Sequence, residues 1–152
     1  MIDAGSYFNN QQRGKIMNFK KIGIAAVSGF VAMAVASGIP LMLFYEPTLA
    51  SLHEKFPTIV NAPPDMVPAM IGGIVWMFVM VIIFDKMGTI GIKDGALTGA
   101  WIGAAKWFFF NMQMLAMIPP IFPMDYIMID VPLSALSYAA AGAAIGWALE
   151  RF

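Results

Sequence analysis

Long apolar segments separated by short polar ones dominate the pattern of this chain. Four such segments lie at about 22–44, 67–85, 92–117 and 129–149. A helix of about 20 residues crosses the ~30 Å hydrocarbon core of a bilayer, and each segment has roughly that length. The pattern therefore predicts an all-α, polytopic membrane protein with four transmembrane helices.

Prolines, glycines and one aspartate mark the ends of these segments. Pro40 lies in the last turns of the first segment, where we expect it to kink the helix or end its regular hydrogen bonding. Asp65 is predicted to cap the second helix, and Gly88 and Gly91 form the turn that follows it. Pro132 suits the first turn of the fourth helix.

The connections on either side of the third helix are short. We expect the second and third helices to be antiparallel neighbours, and the fourth helix to lie beside the third. An up-down-up-down bundle is the simplest closure of four helices joined in this way.

The composition agrees with a membrane location and excludes several kinds of site. Hydrophobic residues make up 60% of the chain and charged residues 12%, against about 25% charged in soluble domains. The net charge is zero, so we predict no nucleic acid partner. The chain has no Cys and one His, which excludes disulfides, iron–sulfur ligation and multi-histidine metal sites. We predict no metal, no cofactor and no catalytic residue, since too few titratable groups converge.

The polar N-terminal tail, residues 1–16, does not have the pattern of a cleavable signal peptide. The run from Met17 to Lys21 is typical of a start before a spanning helix. We therefore expect residues 1–16 to be a tail, or an upstream extension of a protein that starts at Met17. Residues 17–152 are predicted to form a single four-helix transmembrane domain.

Basic residues flank the predicted spans unevenly. Seven lie before the first helix, in the turn between the second and third, or after the fourth: Arg13, Lys15, Lys20, Lys21, Lys86, Lys93 and Arg151. Only Lys55 lies in the connections on the other side. The positive-inside rule then places both termini in the cytoplasm and predicts a multi-pass protein of the cell (inner) membrane.

Glycines recur every four residues along the third helix. They are Gly91, Gly95, Gly99 and Gly103, and the fourth helix carries Gly142 and Gly146. Such small-xxx-small faces let two helices approach closely. One interpretation is packing of the third helix on the fourth, and the other is an interface with a second copy or another subunit.

Lys106 stands near the middle of the third helix, where a charge costs at least ~2.5–3.5 kcal/mol on insertion scales. One hypothesis pairs it inside the bundle with Asp130, or with a hydroxyl of Tyr138, Ser137 or Ser134. The other, which we favour on sequence grounds, lets it snorkel to the outer headgroups. The intramembrane polar candidates are Lys106, Asn111, Gln113, Asp130 and Tyr138.

Several stretches resemble small four-helix membrane proteins of bacteria that are classed as a domain of unknown function. They are Met17–Lys21, Phe44-Tyr45, the glycine-containing run 95–103 and the run 142–147. The resemblance implies the four-helix fold and brings no activity, cofactor or catalytic residue. The Lys106-Trp107 pair departs from it.

Two functions fit this pattern. The first is a non-enzymatic structural or accessory protein that packs through its Gly/Ala faces against itself or a larger membrane complex. Its partners are the lipid bilayer and other membrane subunits. The alternative is a small oligomeric transporter or channel with a polar path near Lys106, Asn111, Gln113 and Asp130.

Overall fold

The computed structural model describes residues 19–152, and this part of the chain is helical without strands. Its helices are α1 (Phe19–Pro40), α2 (Glu46–Lys55), α3 (Met66–Met87), α4 (Ile92–Met117) and α5 (Met124–Arg151), with a π-helical turn, Leu41–Tyr45, between α1 and α2. The predicted tail at 1–16 and the alternative start at Met17 lie outside the described residues.

Three helical stretches are long and apolar enough to cross a membrane. They are Phe19–Lys55, which runs through α1, the π turn and α2, together with Met66–Met87 and Met124–Arg151. These stretches indicate a membrane protein, as the apolar pattern predicts. Helix α4 is also long, with 26 residues, but it is not among these three stretches.

Pro40 ends the regular hydrogen bonding of α1 without ending the helix. Proline has no backbone N–H and its ring crowds the preceding turn, so the local bonding widens. In the π turn that follows, the Glu46 N–H donates to the carbonyl of Leu41, five residues back. The first helix therefore continues past its predicted end near 44 and reaches Lys55 as α2.

The ends of α3 follow the predicted signals, whereas α5 begins earlier than predicted. The Asp65 side chain accepts a hydrogen bond from the Val67 N–H at 3.0 Å, which confirms its role as a cap. Gly88 ends α3 in the left-handed conformation, with φ of 69°. Helix α5 begins at Met124, directly after Pro123, so Pro132 lies inside the helix and not in its first turn.

Helix α5 is the centre of the packing. It makes its most extensive contact with α4 and the next with α1, while α3 packs mainly on α1. Phe84 and Met80 of α3 are buried against Ala25 of α1 and Ile145 of α5. Helices α3 and α4, which are joined by the turn at Gly88, do not pack against each other as α4 packs on α5 or α3 on α1. The prediction that they are antiparallel neighbours is therefore wrong.

Backbone lies directly against backbone where α4 meets α5. A Cβ added to Gly95 would overlap the carbonyl oxygen of Gly142, and one added to Gly99 would overlap that of Tyr138. The Gly91 N–H even donates to the Gly146 carbonyl across the two helices, at 2.9 Å. The glycine faces are thus covered within the chain, as the interpretation of packing between the third and fourth helices predicts.

We predict that Gly99→Ala lowers the free energy of unfolding by about 1–3 kcal/mol, because the new methyl group meets rigid backbone. Gly38→Ala is the matched control, since a Cβ there meets nothing within 4 Å. The control should keep or raise stability, because glycine inside a helix costs ~0.5–1 kcal/mol relative to alanine. Unfolding in detergent measures both variants, and equal stabilities would contradict the close α4–α5 contact.

Candidate functional site

A cavity of about 440 Å³ lies between α1, α3, α4 and α5. This volume is within the range of sites that bind small molecules, about 300–1,000 Å³. Its apolar wall includes Phe30, Met33, Ala34, Ala69 and Met77. Its polar wall consists of Ser37, Tyr45, Trp76, Lys106, Trp107, Ser134, Ser137 and Tyr138.

Lys106 extends into this cavity from α4. Its Nζ donates a hydrogen bond to the Tyr138 hydroxyl at 2.9 Å and lies 4.1 Å from the centroid of the Trp76 ring. Trp76 is near the middle of α3, so the ammonium group is near mid-length of a candidate span. Lys106 therefore has a protein partner, the Tyr138 hydroxyl that the hypothesis of pairing inside the bundle names.

Aromatic rings surround the Lys106 ammonium group. The Trp107 and Tyr138 ring centroids lie 5.1 and 5.4 Å from Nζ, in addition to the Trp76 ring. A cation within about 6 Å of a ring face is attracted by the ring quadrupole, by ~2 kcal/mol or more when it is desolvated. The two indole rings and the Tyr138 hydroxyl thus replace part of the water that the cation loses.

No carboxylate neutralises Lys106 within residues 19–152, where its partners are the Tyr138 hydroxyl and the aromatic rings. The hypothesis of a Lys106–Asp130 pair is wrong for the described structure, because Asp130 makes other bonds. The Tyr45 hydroxyl donates to Asp130 Oδ1 at 2.7 Å, and Asn111 Nδ2 donates to Asp130 Oδ2 at 2.6 Å.

The Asp130 network joins three helical elements. Tyr45 belongs to the π turn, Asn111 to α4 and Asp130 to α5. Asp130 is 2% exposed and Asn111 is fully buried, so the two donors replace the water that a carboxylate normally holds. Asp130 does not line the cavity, but Tyr45 does. The network therefore fixes Tyr45 at the wall of the cavity.

Of the five polar candidates, the structure brings four into this region. Lys106 and Tyr138 meet at the cavity, and Asn111 and Asp130 meet beside it. Gln113 is exposed and takes no part. Sequence reasoning missed Trp76 and Tyr45, because an aromatic residue within an apolar segment gives no sign of its distant partners.

The chain was compared with protein-family models, curated proteins and solved structures, and none of them matches it. The resemblance to small four-helix bacterial membrane proteins therefore stays a prediction.

We predict that Tyr45 and Asp130 are energetically coupled. Tyr45→Phe and Asp130→Leu should each lower stability in detergent, since each leaves a buried partner unsatisfied. The double variant should lose less than the sum of the two, with a coupling energy of about 0.5–3 kcal/mol. Gln113→Leu serves as the control and should change stability by no more than about 0.5 kcal/mol, because Gln113 is exposed. Strict additivity of Tyr45→Phe and Asp130→Leu would contradict the network.

Proposed function

We propose that this chain is a four-span, non-enzymatic protein of the bacterial inner membrane that binds a small amphiphilic molecule between its helices. The single observation that carries the proposal is the cavity beside Lys106, with an apolar wall and several converging polar groups. Sites for small molecules have this combination, in which apolar surface supplies affinity and a few polar groups fix orientation.

The fourth span in this proposal is α4. At ~1.5 Å per residue its 26 residues rise about 39 Å, which exceeds the hydrocarbon thickness. It also runs beside α5, a candidate span, from the Gly91–Gly146 contact at one end to the Asn111–Asp130 contact at the other. A helix held along the length of a span is expected to cross the bilayer with it.

An up-down-up-down path with cytoplasmic termini follows from four spans and from the distribution of Lys and Arg. The uneven count of seven basic residues against one supports this orientation. Lys106 does not enter that count, because it lies within a proposed span.

We predict that a cysteine at Ser51 reacts with a membrane-impermeant maleimide in intact cells, while a cysteine at Met87 reacts only after permeabilisation. The chain has no native cysteine, so each Ser51→Cys or Met87→Cys variant carries a single label site. Both side chains are exposed, so burial does not limit the reaction. Labelling of the Met87 variant alone in intact cells would reverse the orientation.

Ligand binding agrees better with the described geometry than an accessory role through the glycine faces. Those faces are covered within the chain, so another subunit would need a different surface. The transporter hypothesis requires a binding site as its first element, and the cavity supplies one. Gln113 has no place in that path because it is exposed.

We predict that filling the cavity removes a bound small molecule. Ala34→Phe adds a ring to the cavity wall, whereas Val35→Phe adds the same ring to an outward position that is 77% exposed in the wild type. The proteins are purified from native membranes in mild detergent, and their small molecules are identified by mass spectrometry. We expect a ligand at near-stoichiometric amounts in the wild type and in Val35→Phe, and its loss in Ala34→Phe. Identical contents in all three would contradict the proposal.

A further inference from the structure

We infer that the ligand of this cavity is an organic monocarboxylate, a molecule with one carboxylate group and an apolar body. The inference rests on the proposed binding function and adds the chemical class of the ligand. It derives from the charge of Lys106, from the kind of polar group on the wall and from the apolar remainder of the cavity.

The first argument is the unbalanced charge. Lys106 is the only charged side chain on the cavity wall, and within residues 19–152 it has no anionic partner. A desolvated charge is expensive to keep unpaired, whereas an opposite charge in a low-dielectric site interacts with it strongly. An anionic ligand would therefore gain from Lys106, and a cationic ligand would be repelled.

The second argument is the supply of hydrogen-bond donors. An ammonium group has three N–H donors, and the hydrogen bond of Lys106 within the described chain uses one of them, on Tyr138. A carboxylate oxygen near Lys106 would accept hydrogen bonds from the remaining N–H groups of the ammonium.

The third argument concerns the groups that are absent from the wall. Among residues 19–152, every polar residue lining the cavity carries an N–H or O–H donor, and none is a carboxylate. The nearby carboxylate of Asp130 has both oxygens engaged by Tyr45 and Asn111, and it does not face the cavity. With one ammonium group and no carboxylate on the described wall, the cavity favours an anionic ligand over a cationic one.

The number of charges and the shape favour a monocarboxylate. One lysine neutralises one negative charge, which leaves a phosphate monoester dianion incompletely balanced. The remaining wall, with Phe30, Met33 and Met77, is apolar and suits a hydrocarbon or aromatic body. The same chemistry occurs in fatty acids that partition into the bilayer and in small aromatic acids from water, so both sources belong in the test.

The test compares matched ligands on the full chain in phosphatidylcholine nanodiscs, with empty nanodiscs as the blank. The lipid-phase probes are dodecanoate, dodecan-1-ol and dodecylamine, and the aqueous probes are 3-phenylpropanoate and 3-phenylpropan-1-ol. Calorimetric titration should show that at least one carboxylate binds about tenfold or more tightly than its alcohol, with dodecylamine weakest. Preference for dodecanoate identifies the bilayer as the source, and preference for 3-phenylpropanoate identifies the aqueous phase.

Two lysine variants test the assignment of Lys106. Lys106→Met should weaken carboxylate binding about tenfold or more and reduce the preference for carboxylates over alcohols, because the methionine keeps the apolar stem and removes the charge. Lys86→Met is the matched control, since Lys86 is exposed and does not line the cavity. The control should bind carboxylates like the wild type. Equal losses in both variants would overturn the assignment.

Lys106→Gln provides a second variant in case Lys106→Met does not fold. It keeps a polar group that can hydrogen-bond the Tyr138 hydroxyl and removes only the charge. We expect the preference for carboxylates over alcohols to fall about tenfold, and a preference equal to that of the wild type would overturn the assignment of Lys106.

The outcomes separate this inference from the proposed function. Equal binding of acid and alcohol, both lost in Ala34→Phe, would overturn the carboxylate class and leave the binding function intact. Tighter binding of monododecyl phosphate than of dodecanoate would overturn the carboxylate in favour of a phosphate. No binding of any probe, together with no co-purified molecule, would overturn both proposals.

Discussion

The contact of α4 with α5 through bare backbone is the constraint on which the rest of the structure depends. Gly95 and Gly99 have no side chains, so the two helices approach until the carbonyls of Gly142 and Tyr138 nearly touch the opposite glycines. In a bilayer, helix association relies on such packing because lipid chains are as apolar as leucine. The close contact holds α4 against α5, and it places Lys106 beside Tyr138.

The charged side chains of Lys106 and Asp130, which lie within the helices, are stabilised by different partners. Lys106 has the Tyr138 hydroxyl and aromatic rings, and Asp130 has the neutral donors of Tyr45 and Asn111. A direct ion pair would neutralise both and leave a cavity without a charge. Because Asp130 is already satisfied, the positive charge of Lys106 remains available to a ligand. The same network holds Tyr45 at the cavity wall, which connects the π turn of the first helix to the site.

The sequence was sufficient to predict those features of the fold that depend on residues close together in the chain. Helical class, the glycine periodicity and the Asp65 cap each follow from residues close together in the chain. It was insufficient where partners are distant, as with Tyr45 and Asp130, which are 85 positions apart. The continuation of the first helix past its predicted end near 44 was also missed, since a proline signals lost hydrogen bonding but not how far a wider turn carries the helix on.

The order of the helices explains why there is a cavity at all. A short turn favours neighbouring helices, yet α3 packs on α1 while α4 packs on α5, so a gap is left between α3 and α4. The Lys106 side chain reaches across this gap to the Trp76 ring. In a closed square bundle that space would be filled by apolar side chains, as core packing requires. The glycine contact holds α4 against α5, while α3 packs on α1. The Lys106 side chain therefore lies at one edge of the gap between α3 and α4.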